Sequence, residues 1–241
     1  MRNILNIAHR GFTKTFPDNT LEAFEAAIQI RVDAIECDVH ETADRRFVVF
    51  HDSELLGKNI NNLSLDEIRN VRLKGKFRIP TLEQALDLCQ ERVRLLVELK
   101  QVSSLECFLS LLRARVKPTD VILASFNRDL VSKFSHLAPE IHRGIITGGP
   151  VKEPIKALKS AQSDILMVRF PFTTAELAEK VHAHNLSILV WGCTGLRDIQ
   201  STLELDIDGI VSDFPDQVAK ELGKKEDGKA FVEKRKATFK G

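Results

Sequence analysis

Glu36 and Asp38 lie two positions apart in the segment 33–52, DAIECDVHETADRRFVVFHD. Residues 34–39 alternate as a strand does, so Ala34, Glu36 and Asp38 share one face while Ile35, Cys37 and Val39 share the other. Burying one unpaired carboxylate is costly, and a like-charged neighbour adds to the cost. A cation must sit between the two acids, or one of them must hold a proton. The segment turns at Asp44, Arg45 and Arg46 and returns through the apolar run 47–50 to His51 and Asp52. Folding about that turn is expected to set His51 roughly opposite Glu36.

Further chemistry-bearing residues fall at the ends of other apolar runs. His9 and Arg10 end the run 4–8, Glu98 and Lys100 the run 94–99, Ser125 the run 121–125, Arg169 the run 165–168 and Trp191 the run 187–191. Ser212 ends the run 209–212 and Asp213 follows it. Glu36, Asp38 and Glu98 offer only oxygen, which suits a hard divalent cation, Mg²⁺ or Ca²⁺, better than zinc. His9 and His51 could ligate the ion, but imidazole titrates near neutral pH and serves better as general acid and general base. Arg10 and Lys100 are donors matched to an anion, and phosphate goes with a hard metal. Taken singly, His9-Arg10-Gly11 suits a strand end with a turn glycine, and Glu98 with Lys100 a plain ion pair. Together on consecutive predicted strands they suit metal-assisted displacement at phosphorus, with a histidine on each side.

The elements that must position these residues alternate. After the run 4–8 comes a predicted helix over 21–31, with Leu21, Phe24, Ala27 and Ile28 on one stripe. Residues 53–80 are irregular, apart from a short helix over 65–71 that Ser64 and Glu67 would cap as a box. Helices are predicted over 81–90, 104–115, 129–136, 151–160, 174–184, 196–204 and 216–222, with strands between them. Nine runs read as strands, but no helix separates 34–39 from 47–50, so that pair must be an antiparallel hairpin. Eight strand–helix units remain, the number in a closed (β/α)₈ TIM barrel, with 53–80 a small insertion between strand 2 and helix 2. Residues 1–222 are expected to form this single domain, and 223–241 a basic, solvated tail with seven Lys or Arg against three acids.

The chain has 241 residues and a formal net charge of +1, which provides no global attraction to nucleic acid. Its apolar runs fall far short of the roughly 20 residues that cross a bilayer. Its start lacks the pattern of a signal peptide, so a cytoplasmic location is expected. Cys37, Cys89, Cys107 and Cys193 lie far apart with no Cys-x-x-Cys pair, the pattern of reduced thiols. The sequence leaves the oligomeric state open.

The motifs His9-Arg10-Gly11, Pro17-Asp18-Asn19-Thr20, Glu36-Cys37-Asp38-Val39, Thr42, Asp44, Val48, His51-Asp52, Leu55, residues 79–83 (IPTLE), Glu98-Leu99-Lys100, Ser125-Phe126, Trp191 and residues 208–216 (DGIVSDFPD) resemble the glycerophosphodiester phosphodiesterase family. The resemblance runs from Ile4 to about Leu222. It implies a (β/α)₈ barrel in which Glu36, Asp38 and Glu98 hold a divalent metal, His9 and His51 form the acid/base pair, and Arg10 and Lys100 contact the phosphate. It further implies hydrolysis of glycerophosphodiesters, such as glycerophosphocholine and glycerophosphoethanolamine, to an alcohol and sn-glycerol 3-phosphate. The neighbouring glycerol hydroxyl would attack, giving a cyclic phosphate that water opens. Either histidine could take either role.

The chain departs from the family pattern in two places. Asp18 stands where Glu is usual, and Gly192, Cys193 and Thr194 follow Trp191 where Thr, and Asn two positions further on, are usual. Trp191, Arg169 and Ser125 are the candidate pocket residues. Arg169 belongs to no family motif and is expected either to pair with an acid or to favour a negatively charged head group. Two other readings remain open. One is lysophospholipase D activity on lysophospholipids, which needs an apolar landing surface such as Leu55, Leu56, Phe170 and Phe172. The other is a non-catalytic binding protein on the same barrel.

Overall fold

The computed structural model describes residues 4–223. All but the first residue of the basic segment 223–241 lie outside the described residues. In chain order the elements are β1 (Leu5–His9), α1 (Leu21–Gln29), β2 (Ala34–Glu41), β3 (Phe47–Val49), β4 (Glu54–Leu55), β5 (Lys58–Asn59), α2 (Leu65–Arg69), α3 (Leu82–Cys89) and β6 (Arg94–Gln101). There follow α4 (Leu105–Arg113), β7 (Val121–Ser125), α5 (Arg128–Leu137), β8 (His142–Thr147), α6 (Pro154–Ala161), β9 (Ile165–Arg169) and α7 (Ala175–His182). The chain ends with β10 (Ser187–Cys193), α8 (Leu196–Leu203), β11 (Gly209–Ser212) and α9 (Pro215–Glu221).

Eight strands pair in parallel in the order β1-β11-β10-β9-β8-β7-β6-β2, and β2 pairs with β1 to close the ring. The strand alternation divides two kinds of core. Ile7, Ala34, Leu96, Ile122, Ile146, Met167, Leu189 and Val211 fill the barrel interior. Ala8, Ile35, Cys37, Val39, Val97 and Leu123 pack outward under the helices of one half, around Phe24, Phe108 and Phe134. Burying such runs on both faces is what a parallel sheet demands. Ala34 lies in the inner layer, so Glu36 and Asp38 continue that face toward the mouth, as the alternation predicts.

The hairpin forms as expected. Val39, His40 and Glu41 pair antiparallel with Val49, Val48 and Phe47. Its turn is held by Thr42, whose hydroxyl donates to Asp44 Oδ1 at 2.6 Å, and Arg45 takes the left-handed conformation at φ 56°. The far edge of β3 is covered, because Val49 N–H donates to Pro80 O at 2.9 Å and Val48 bridges to Thr81. Val48 also packs with Leu55, Ile60, Leu63, Leu65, Ile68 and Ile79 in a small core beneath the insertion. A covered edge and a private core make a well-fixed base for His51.

Some boundaries differ from the sequence expectations. The insertion holds a short hairpin, β4–β5, that no periodicity announces, since each arm is two residues long. The Ser64–Glu67 capping box is present, but α2 ends at Arg69. Helix α6 starts at Pro154 instead of residue 151, since proline fits the first helical turn, where its missing N–H costs nothing.

One carboxylate ties the end of β2 to the loop after β6. Glu41 Oε2 accepts from Ser103 N–H at 2.6 Å, Ser103 Oγ–H at 2.9 Å and Ser104 N–H at 2.9 Å. Burial opposes its charge, but the donors of Ser104 and Ser103 outweigh burial and lower its pKa. The same negative charge sits at the N-terminus of α4, whose N-cap residue, Ser104, provides no side-chain cap. Glu41→Gln should therefore cost about 1–3 kcal/mol in denaturant unfolding at neutral pH. A group with a lowered folded-state pKa stabilises fully above its unfolded value, about 4.3, and stops doing so as pH falls through the folded value. The difference between wild type and variant should narrow on acidification below that pH.

Candidate active site

His9 closes β1, and the chain then bends sharply. Arg10 and Gly11 are left-handed, at φ 56° and 88°. Gly11 has no alternative, because a Cβ there would stand 2.7 Å from the backbone carbon of Ala23 in α1. Arg10 is an unusual residue for this conformation, and hydrogen bonds hold it there. Its N–H donates to Glu36 O at 2.9 Å and to Glu36 Oε2 at 3.1 Å, and its carbonyl accepts from Asn19 N–H at 3.0 Å. The bend aims the guanidinium back over β2, with Nε 3.0 Å from Asp38 Oδ2 and Nη1 3.3 Å from Asp18 Oδ2.

Glu36, Asp38 and Glu98 are all buried, and each offers an oxygen within 4.8 Å of the others. Glu98 comes from the adjacent strand, in register with Asp38. Lys100 Nζ contacts both Glu98 Oε1 and Asp38 Oδ1, the latter at 3.0 Å. Asn19 donates from Nδ2 to Asp38 Oδ2 at 2.8 Å and accepts from Asp38 N–H at 3.2 Å. Positive charge is thus concentrated on Asp38. Burial would raise its pKa, but Lys100 and Arg10 outweigh burial and lower it. Burial pushes the Glu36 carboxyl well up, and the charges of Asp38 and Glu98 push it further. Burial also raises Glu98, against the pull of Lys100. Glu36 Oε1 is buried with no hydrogen-bond partner. A buried, all-oxygen set of three acids with an orphaned carboxylate oxygen fits a divalent cation.

The two histidines flank this set and are held alike. His9 Nδ1 lies 2.7 Å from Asp213 Oδ1, and His51 Nδ1 lies 2.8 Å from Asp52 Oδ1. Burial opposes ionisation of Asp213, but the His9 bond outweighs it and lowers the pKa. An ionised carboxylate accepts a hydrogen bond from Nδ1–H, so Nε2 carries the free lone pair or the transferable proton. His9 Nε2 is 3.8 Å from Glu36 Oε2. His51 lies beyond the paired part of the β2–β3 hairpin, so no ladder pair sets it against Glu36. The β2–β3 ladder stops at Val39 and Val49, and Phe50 N–H donates to Asp38 O at 3.0 Å. His51 therefore passes Asp38 and lines an open cavity of about 680 Å³ with His40, Glu98, Lys100 and Phe126.

A model of the glycerophosphoryl diester phosphodiesterase family matches residues 9–217. The chain belongs to this family. It is 27% identical over 235 residues to a glycerophosphodiester phosphodiesterase of Bacillus altitudinis, covering 88% of this chain and 96% of the relative. It is also 27% identical over 232 residues to that of Caldanaerobacter subterraneus, covering 88% and 95%. The crystal structure of a glycerophosphodiester phosphodiesterase from Parabacteroides distasonis superposes with a TM-score of 0.82 at 25% identity, covering 92% of this chain and 98% of the other. An Oleispira antarctica phosphodiesterase, solved in complex with the product sn-glycerol-3-phosphate, shares the fold with a TM-score of 0.84 at 23% identity, covering 90% and 96%.

In this phosphodiesterase the expected residues His9, Arg10, Glu36, Asp38, His51, Glu98 and Lys100 meet at one end of the barrel. The three pocket candidates fare differently. Ser125 is buried at the end of β7, where its hydroxyl donates to Leu99 O at 2.8 Å and accepts from Asn127 N–H at 3.1 Å. It fastens two strand ends, and its hydrogen-bonding capacity is largely used there. Trp191 Nε1–H donates to Thr147 O at 3.2 Å, and its ring meets the Phe126 edge at 5.9 Å. Arg169 forms no ion pair among the described residues, against one of its two expectations, and lies over Trp191 at 5.7 Å.

Asp213, Asp52 and Asn19 carry roles that residue types alone did not assign. Asp213 acts on His9 from 204 positions away. A signal existed, since Asp52 and Asp213 follow His51 and Ser212 directly within the quoted motifs. Asp213→Asn should leave the fold intact, since the side chain is 51% exposed. It should lower kcat by about 10²- to 10⁴-fold, with a smaller change in KM and a displaced pH–rate profile, as expected when an imidazole loses its orienting carboxylate.

Proposed function

We propose that this chain hydrolyses glycerophosphodiesters to an alcohol and sn-glycerol 3-phosphate with Mg²⁺ or Ca²⁺ bound by Glu36, Asp38 and Glu98. The observation that carries the reading is the pairing of two carboxylate-held histidines with a buried, all-oxygen acid set between them. Bound there, the ion would neutralise charge on the phosphoryl oxygens and orient the diester. Arg10 and Lys100 add cationic donors at the same end, suited to a phosphate oxygen.

The chain's own groups move the protons. One histidine Nε2 takes the proton of the neighbouring glycerol hydroxyl as its oxygen bonds to phosphorus. The other protonates the departing alcohol oxygen as the P–O bond breaks. Water then opens the cyclic phosphate with the roles reversed. An internal nucleophile arrives oriented, and effective molarities for such steps reach about 10⁵ M or more. Asp213 and Asp52 keep each imidazole in the tautomer that these transfers need.

A second reading, lysophospholipase D activity, draws on exposed apolar side chains. Leu56 is 68% exposed on the β4–β5 turn, and Phe172 is 38% exposed after β9. Leu55 is buried and Phe170 packs against the outer core, so half of the expected landing surface is absent. No helix among the described residues is long and apolar enough to cross a membrane. We read the enzyme as cytoplasmic, in keeping with its four free cysteines.

Purified protein with Mg²⁺ or Ca²⁺ should release sn-glycerol 3-phosphate from glycerophosphodiesters, and a chelator should stop it. His9→Ala and His51→Ala should each lose about 10²- to 10⁴-fold in kcat. Failure to turn over any glycerophosphodiester with either ion would refute the reading. Choline release from lysophosphatidylcholine at a rate matching or exceeding that from glycerophosphocholine would favour the second reading.

A further inference from the structure

Arg10 and Lys100 are committed to Asp38 and Glu98 at the acid end of the mouth. Arg169 is placed differently. It ends β9, which lies four strands from β2 whichever way the ring is followed. It is exposed and makes no ion pair among the described residues. Its guanidinium instead covers the face of Trp191, at 5.7 Å from the ring centroid.

The surroundings hold it there. Trp191 is fixed by its bond to Thr147 O and by the edge of Phe126. Phe126 lines the cavity that contains His51 and Glu98, with Lys100 Nζ 5.9 Å from its centroid. Gly192 lies beside Arg169, on a strand whose register shifts between Trp191 and Cys193. A Cβ at Gly192 would stand 3.1 Å from Arg169 Cγ, and its φ of 81° disfavours any side chain. The glycine that departs from the family pattern and the arginine outside the family motifs are thus one feature, because the first makes room for the second.

We propose that Arg169 reads the leaving alcohol and selects alcohols bearing a carboxylate or phosphate over those bearing a quaternary ammonium. The inference rests on the phosphodiesterase reading above and specifies its substrate class. A diester anchored by its phosphorus at the β2 acids can extend its alcohol arm across the mouth toward β9. A guanidinium held over an indole face by cation–π attraction still presents N–H edges, and those edges form a fork matched to two anionic oxygens. That contact also limits the rotamer freedom lost on binding. It removes the alternative ligand as well. Trp191 would be the best surface for a trimethylammonium group, but its face carries a fixed positive charge.

Glycerophosphoserine and glycerophosphoethanolamine differ by one carboxylate, so their kcat/KM ratio isolates the contact. Wild type should favour the serine diester over the ethanolamine and choline diesters by about tenfold or more, the worth of one charge-assisted pair. Arg169→Ala should erase that preference, with the loss falling on the serine diester, and Arg169→Glu should invert it. Equal losses on all three substrates in Arg169→Ala, or an unchanged ratio, would overturn the proposal while leaving the phosphodiesterase reading standing. No turnover of any diester by wild type would overturn both.

Discussion

Three carboxylates share one small volume at the end of this barrel, and their mutual repulsion is the constraint that the surrounding structure answers. Glu36 and Asp38 occupy one face of β2, and Glu98 joins Asp38 from the neighbouring strand. In a buried setting such a group shifts toward the neutral acid unless positive charge is supplied. The chain supplies it unevenly. Arg10, Lys100 and Asn19 all converge on Asp38, whereas Glu36 keeps one oxygen with no partner. A structural ion-pair network would satisfy every member, so that asymmetry fits a set suited to a further cation.

The elements near the acids are organised by the same demand. The left-handed bend at Arg10 and Gly11 brings a cation from β1 over β2. The Asn19 bend supplies both a donor and an acceptor to Asp38 just before α1 begins at Leu21. The β2–β3 hairpin carries His51 past the acids, and the insertion core beneath Val48 keeps it there. Glu41 anchors the upper end of β2 to the loop that follows Lys100. Away from these acids, Arg169 lies over Trp191, whose ring meets Phe126 edge-on. The barrel end is therefore polarised, with the buried acids on β2 and β6 and an aromatic, cationic rim at the ends of β7, β9 and β10.

Much of this was legible in the chain. Period-two alternation in 34–39 placed both acids on one face, and the absence of a helix before 47–50 forced the hairpin. The forced hairpin gave the barrel count, and strand-end positions then pointed to the seven residues that meet at one end of the barrel. The register of His51 was not legible, because residue types do not say where a ladder stops; the Phe50 bond to Asp38 decides it. The Asp213–His9 pair was hidden by a separation of 204 positions and appears only when the ring closes β11 against β1. The β4–β5 hairpin is too short for periodicity to detect. Arg169 is legible as a strand-end cation, but its place over Trp191 depends on the space left at Gly192, which residue types do not announce.

The central claim is that Glu36, Asp38 and Glu98 form one divalent-cation site. Calorimetric titration of Mg²⁺ or Ca²⁺ into the metal-stripped protein tests it most directly. The account predicts saturable binding at one ion per chain, abolished in Glu36→Gln while the variant still folds. Absence of binding by either ion, with the stripped protein still hydrolysing a glycerophosphodiester in the presence of a chelator, would contradict it.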